Sequence, residues 1–128
     1  MNECIIGIGS NMDAEVNIRK ALEKIAMDFQ ILGVSEMVKT KAIGIEDQPD
    51  FMNGAVKILS RMEQEELHQY LKMLEDWLGR DRSMPKFGPR IIDLDIVIWN
   101  GHVTDEDYFT RDFLRSACAQ LGFVLNGH

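Results

Sequence analysis

Two apolar helical stripes, separated by extended runs, confine this chain to very few architectures. Leu67, Tyr70, Leu71, Leu74, Trp77 and Leu78 fall at i, i+3, i+4, i+7, i+10 and i+11, the spacing that lines one side of an α-helix. Ile18, Ala21, Leu22, Ile25 and Phe29 draw a second such stripe upstream. A helix that is apolar on one side must lie on another layer, and the intervening segments read as strands. Residues 3–9 alternate Cys4, Ile6 and Ile8 against Ile5 and Gly7, a period of two. Residues 31–40, 51–59 and 93–98 read as three further strands. The order βαββαβ, followed by a short helix near residues 111–121, predicts an α+β chain. Its expected form is a ferredoxin-like antiparallel sheet with helices on one face and a short terminal helix.

Local signals mark the boundaries. Gly9-Ser10-Asn11 breaks the first strand, with Gly9 relaxing the turn, and Asn11 or Asp13 is placed to cap the first helix. Ser60-Arg61-Met62-Glu63 reads as a capping box. Gly79 stops the second helix, and Asn100-Gly101 makes a turn. The sequence contains no repeat or linker, so residues 1–128 are expected to form one domain. Its 45% hydrophobic and 27% charged content is ordinary for a water-soluble chain. No apolar run approaches the ~20 residues needed to span a membrane, and residues 1–11 lack the basic flank of a signal peptide. Cys4 and Cys118 offer neither a disulfide framework nor a metal pair and read as small core residues. A cytoplasmic location is therefore expected. The eight methionines are scattered and read as core filler.

The chemistry concentrates in residues 87–99, F-G-P-R-I-I-D-L-D-I-V-I-W. Asp93 and Asp95 stand at i and i+2 of a strand and so share a face, with Cα atoms roughly 7 Å apart. Leu94, Ile96 and Ile98 would fill the opposite face. Two anions side by side at the edge of a core need a cation, and a divalent metal is the usual one. Arg80, Arg82, Lys86 and Arg90 fall within eleven residues on a chain of net charge −7. A local basic loop on an acidic protein indicates a specific anionic ligand and argues against a nucleic-acid surface. Paired carboxylates beside such a loop are the parts of metal-assisted phosphoryl chemistry.

Other motifs carry less. Gly7-Ile8-Gly9-Ser10-Asn11 lacks the third glycine of a dinucleotide fingerprint, since Met12 stands there. His68, His102 and His128 have no metal spacing; His68 reads as a solvent residue and none is placed as a catalytic base. Phe51 and Asn53 share one strand face and could stack and hydrogen-bond a heterocycle, though on these residues alone a core Phe beside a strand-end Asn is the favoured reading. Glu75, read alone, is a solvent-face glutamate.

Taken together, residues 6–11 (I-G-I-G-S-N), 44–56 (G-I-E-D-Q-P-D-F-M-N-G-A-V) and 88–96 (G-P-R-I-I-D-L-D-I) resemble the 6-hydroxymethyl-7,8-dihydropterin pyrophosphokinase family. Arg111-Asp112-Phe113-Leu114 resembles its later R-x-F motif. The resemblance implies transfer of the β,γ-diphosphate of ATP to the pterin hydroxymethyl group in folate biosynthesis, with release of AMP. It implies two Mg2+ ions held by Asp93 and Asp95. Arg80, Arg82 and Arg90 match the family's phosphate-contacting arginines, and Arg111 and Glu75 its nucleotide side. Phe51, Asn53 and Phe113 match the residues that stack and read the pterin. Phe87 matches an aromatic that closes over it, and Thr40 and Ile43 match pocket positions. Neither a nucleic-acid nor a membrane partner is implied.

The chain also departs from that family. Members carry a Pro-His pair between the D-L-D strand and the R-x-F motif, in contact with ATP. Here Asp95 and Arg111 are sixteen residues apart and no Pro-His lies between them. The resemblance is thus to a shortened form whose pterin side is better kept than its ATP side. A catalytically weakened or inactive pterin-binding relative stands as the alternative, against which the intact D-x-D weighs.

Overall fold

Both apolar stripes settle on the same face of one antiparallel sheet. The structure is a computed structural model and describes residues 1–41, 50–79 and 92–125. Its elements are β1 (Asn2–Ser10), α1 (Ala14–Asp28), β2 (Gln30–Val34), β3 (Val38–Thr40), β4 (Phe51–Ser60), α2 (Gln64–Trp77), β5 (Asp93–Trp99), β6 (His102–Val103), α3 (Asp107–Thr110) and α4 (Asp112–Gln120). Strands lie in the order β2-β4-β1-β5-β6, with β3 also on β4, and every pair is antiparallel. The four expected strands thus take the ferredoxin-like arrangement. Residues 31–40, expected as one strand, are two short strands that both pair with β4.

One core lies between the helices and the sheet. Ile18, Ala21 and Ile25 of α1 and Leu67, Leu71 and Leu74 of α2 pack on Cys4, Ile6 and Ile8 of β1 and their neighbours Val56, Ile58, Leu94 and Ile96. A smaller core forms on the other face, where Leu114, Ala117 and Cys118 of α4 cover Ile5, Ala55, Val97 and Ile98. The terminal helix therefore closes the second face, and β1 is buried from both sides. Burial also raises the thiol pKa of Cys4 to about 12, with the Glu3 charge adding to it, and that of Cys118 to about 11. Both are inert core residues, as their sequence context indicates.

Several local readings are corrected. Ile98 does not share the face of Leu94 and Ile96. Ile6 pairs with Ile96 while Ile5 pairs with Ile98, so Val97 is an extra residue in β5. A β-bulge of this kind resets the alternation, and Ile98 joins the α4 side. Thr104 satisfies the bulge, its N–H donating to Val97 O at 2.8 Å and its hydroxyl to Ile96 O at 2.9 Å. Ser60 is the last residue of β4, where its Oγ accepts the Met62 N–H; the capping box of α2 is Glu63 with Glu66. Asp13 occupies the N-cap of α1 without a side-chain cap bond.

Trp77 ends α2 65% exposed, so the stripe stops at Leu74 and Leu78. Met37, Met52 and Met62 pack against the core, whereas Met12, Met27 and Met73 are exposed. Gly79 stops α2 with a positive φ, and Asn100 and Gly101 both take positive φ in the turn between β5 and β6. His68 is exposed. Among the described residues no helix is long and apolar enough to cross a membrane.

Candidate active site

Strand register assembles the site. In β1, Gly9 lies opposite Asn53 on one side and Asp93 on the other; Gly7 lies opposite Ala55 and Asp95. Because strand neighbours in register share a face, Asn53 and the two aspartates project from the same side of the sheet with only glycines between them. Those glycines are needed for space. A Cβ on Gly9 would stand 2.7 Å from Asn53 Oδ1, and one on Gly7 would press Val97 Cγ2 at 3.2 Å. Gly9 lies inside β1 and is not among the positive-φ glycines. Its role is this close approach, and the turn-relaxing role read from the sequence is withdrawn.

The two glycines floor a cleft. Phe51, Asn53, Asp93 and Asp95 line it from the sheet, and Arg111, Phe113 and Leu114 line it from the start of α4. Asp105 and Asp107, around the start of α3, also line it. Six residues marked in the sequence, on three separate elements and the α3–α4 junction, thus meet at one place. Thr40 stands behind them: Asn53 Nδ2 donates to Thr40 Oγ1 at 2.5 Å. That bond commits the amide nitrogen and turns its carbonyl oxygen toward Gly9. Ile43, Arg80, Arg82, Lys86, Phe87 and Arg90 lie outside the described residues.

Glu75 is where the sequence reading fails most clearly. It is fully buried, 0% exposed, and its carboxylate accepts the Leu94 N–H at 2.7 Å. The signal was present, because Glu75 is i+4 from Leu71 and i−3 from Leu78, on the apolar stripe itself. One turn earlier, Lys72 was missed altogether. Its ammonium donates to Glu75 Oε2 at 3.1 Å, Leu94 O at 3.0 Å and Asp95 Oδ1 at 3.2 Å. Both backbone groups of Leu94, the residue between the aspartates, are therefore gripped by side chains from α2.

Electrostatics follow from this layout. Burial opposes the charge on Lys72, but the carboxylates of Asp95 and Glu75 together outweigh it and hold the lysine pKa above its ordinary value. Burial raises the Asp105 pKa, aided by the charges of Asp107, Asp95 and Glu106 against a hydrogen bond from the Asp107 N–H. Among the described residues the lining of the cleft is thus acidic, with Arg111 as a cation on its α4 side.

Among the described residues no three His, Cys, Asp or Glu side chains are grouped to hold a metal ion. The donor set does fit a hard divalent cation. Asp93 and Asp95 offer carboxylate oxygens into an open cleft, and Mg2+ characteristically takes one or two carboxylates and completes its shell with water and phosphate. The Asp95 side chain is 46% exposed, leaving room for that shell.

Comparison with known proteins agrees with the architecture. Residues 5–122 match the family model of 7,8-dihydro-6-hydroxymethylpterin-pyrophosphokinase (HPPK). The chain is 35% identical over 102 residues to the 2-amino-4-hydroxy-6-hydroxymethyldihydropteridine pyrophosphokinase of Bacillus subtilis, covering 77% of this chain and 60% of that protein. To the protein of the same name in Aquifex aeolicus it is 34% identical over 99 residues, covering 77% of this chain and 61% of that one. A folate synthesis bifunctional protein of Arabidopsis thaliana is 31% identical over 102 residues, 78% of this chain and 21% of the plant protein. The chain thus spans about three fifths of the bacterial relatives' length. With a family model matched over residues 5–122, this chain belongs to the 7,8-dihydro-6-hydroxymethylpterin-pyrophosphokinase family.

Proposed function

We propose that this protein transfers the β,γ-diphosphate of ATP to the hydroxymethyl group of 6-hydroxymethyl-7,8-dihydropterin, releasing AMP. The observation that carries the reading is the cleft itself. Two aromatic side chains and an amide line it together with two carboxylates and an arginine. The first set suits a flat, hydrogen-bonding heterocycle, and the second a metal-bound polyphosphate.

In this reading Phe51 and Phe113 sandwich the pterin ring. Asn53 presents its carbonyl oxygen, oriented by Thr40, to the ring's N–H groups, and Ile43 and Phe87 complete the pocket. Asp93 and Asp95 hold two Mg2+ ions, which when bound neutralise and polarise the phosphates. Arg111 meets the nucleotide from α4, while Arg80, Arg82 and Arg90 reach it from the basic segment. The hydroxymethyl oxygen bonds to the β-phosphorus as that atom's bond to the α,β-bridging oxygen breaks. AMP leaves with the bridging oxygen, and the hydroxyl proton passes to water. Positioning and charge neutralisation carry such a step, so no strong base is needed.

A second reading is a pterin-binding relative without turnover. It is favoured by Lys72, which already neutralises Asp95 from within the protein. Incubation with ATP, Mg2+ and the hydroxymethylpterin separates the two. AMP and diphosphorylated pterin in equal amounts are expected; pterin binding without AMP would establish the second reading instead.

The pterin end has its own test. Gly9→Ala places a methyl group against Asn53 Oδ1 and is expected to push the amide out of line. Losing one ring hydrogen bond should weaken pterin binding by roughly tenfold, read by fluorescence titration. An unchanged affinity would remove Asn53 from the pterin site.

A further inference from the structure

Lys72 has a place in the site that the motif residues do not account for. It projects from α2, the helix packed on the opposite face of the sheet, and reaches β5 at Leu94 and Asp95. Among the described residues three acceptors hold its ammonium: the Leu94 carbonyl, Glu75 Oε2 and Asp95 Oδ1. Glu75 is in turn anchored on the Leu94 N–H. Two of the three acceptors belong to buried residues, so the charge is fixed beside Asp95 at little further cost in side-chain freedom.

From this geometry we infer that Lys72 is the internal counter-cation of Asp95, and that it keeps a free divalent ion from seating at that carboxylate ahead of the nucleotide. The inference rests on the metal-dependent reading of the cleft. A metal ion approaching Asp95 meets a full positive charge within hydrogen-bond distance of the same carboxylate. Either the ammonium withdraws and loses a charged hydrogen bond, or it stays and repels the ion; both weaken binding of the ion alone. Nucleotide phosphates bring the negative charge that offsets this repulsion, so the metal is favoured to arrive with them. Lys72 is a positioning residue in this scheme, because it acts through Asp95.

The pair is only partly buried, with Lys72 24% and Asp95 46% exposed, so solvent screening limits the effect. Neutralising Lys72 should tighten binding of the free ion roughly fivefold to tenfold. The test is a calorimetric titration of Mn2+ alone into the full ligand-free chain. Lys72→Gln removes the charge and keeps a donor for the Leu94 carbonyl, Lys72→Met is a second neutral form, and Lys72→Arg keeps the charge. Expected is tighter Mn2+ binding by whichever neutral variant folds, with Lys72→Arg close to the parent protein. Unchanged or weaker binding by the neutral variants overturns the inference, as does equal tightening by Lys72→Arg, which would make side-chain shape the cause. Asp95→Asn separates the two levels. If it weakens Mn2+ binding while the neutral variants do nothing, the metal site stands and the role of Lys72 falls. If Asp95→Asn has no effect, the metal reading of Asp95 falls and the inference falls with it.

Discussion

Replacing Asp95 with alanine is expected to cut AMP release roughly a hundredfold or more while leaving pterin affinity within about twofold, since one hydrogen bond's worth of change is the tenfold scale. The separation follows from where the groups sit. Asp95 stands opposite Gly7 on β5, whereas Asn53 stands opposite Gly9 on β4 and Phe113 lies on α4. Removing the carboxylate therefore takes away an oxygen ligand for the metal without disturbing the ring-binding side chains. It also deprives Lys72 of one acceptor, but Leu94 O and Glu75 remain to it. Parallel measurement of AMP formation and of pterin binding by fluorescence checks both halves. Turnover near the parent level would refute the metal assignment, and a matching loss of pterin affinity would show that the two ends of the cleft are not independent.

The second large effect is on stability. Glu75→Ala removes a fully buried carboxylate that takes the Leu94 N–H and faces the Lys72 ammonium. Two groups then lose a partner in a place that water does not reach easily. Breaking one side of a buried charged pair costs on the order of 3 kcal/mol, which for a chain of this size corresponds to a fall in Tm on the order of 10 °C. Glu75→Gln should cost about half as much, because the amide oxygen still accepts the Leu94 N–H while the charge is gone. Thermal unfolding followed by circular dichroism decides. A shift of only a degree or two for Glu75→Ala would mean that β5 is held by its packing and not by the grip of α2 on its backbone.

Much of the site was legible from local rules because strand alternation is local. Placing Asp93 and Asp95 on one face of their strand, and Phe51 and Asn53 on one face of theirs, needs only a period of two, and both pairs line the same cleft. The same rule failed at Ile98, because an inserted residue shifts the period and a bulge leaves no mark in an apolar run such as I-V-I-W. Gly9 was misread for a related reason. A glycine near a strand end looks like a turn residue until the partner strand is known, and only the register with β4 shows that Asn53 Oδ1 needs the space. Trp77 and Glu75 exchanged roles in the same way. Polarity alone put the tryptophan inside and the glutamate outside, whereas α2 presents Glu75 to β5 and leaves Trp77 in solvent.

By itself the sequence determined the order of the main strands and helices, the two helices that share a sheet face, and, away from the bulge, which side chains stand together along a strand. These depend on hydrophobic period and on chemistry within a few residues. Tertiary structure alone decided what stands across from what. It set glycine between Asn53 and Asp93, brought Phe113 and Arg111 over the sheet with α4, and carried the Lys72 ammonium from α2 to Asp95. Those meetings join residues far apart in the chain. They follow from strand order, bulge position and helix rotation, quantities set by the packing of the whole core and not by any short stretch of it.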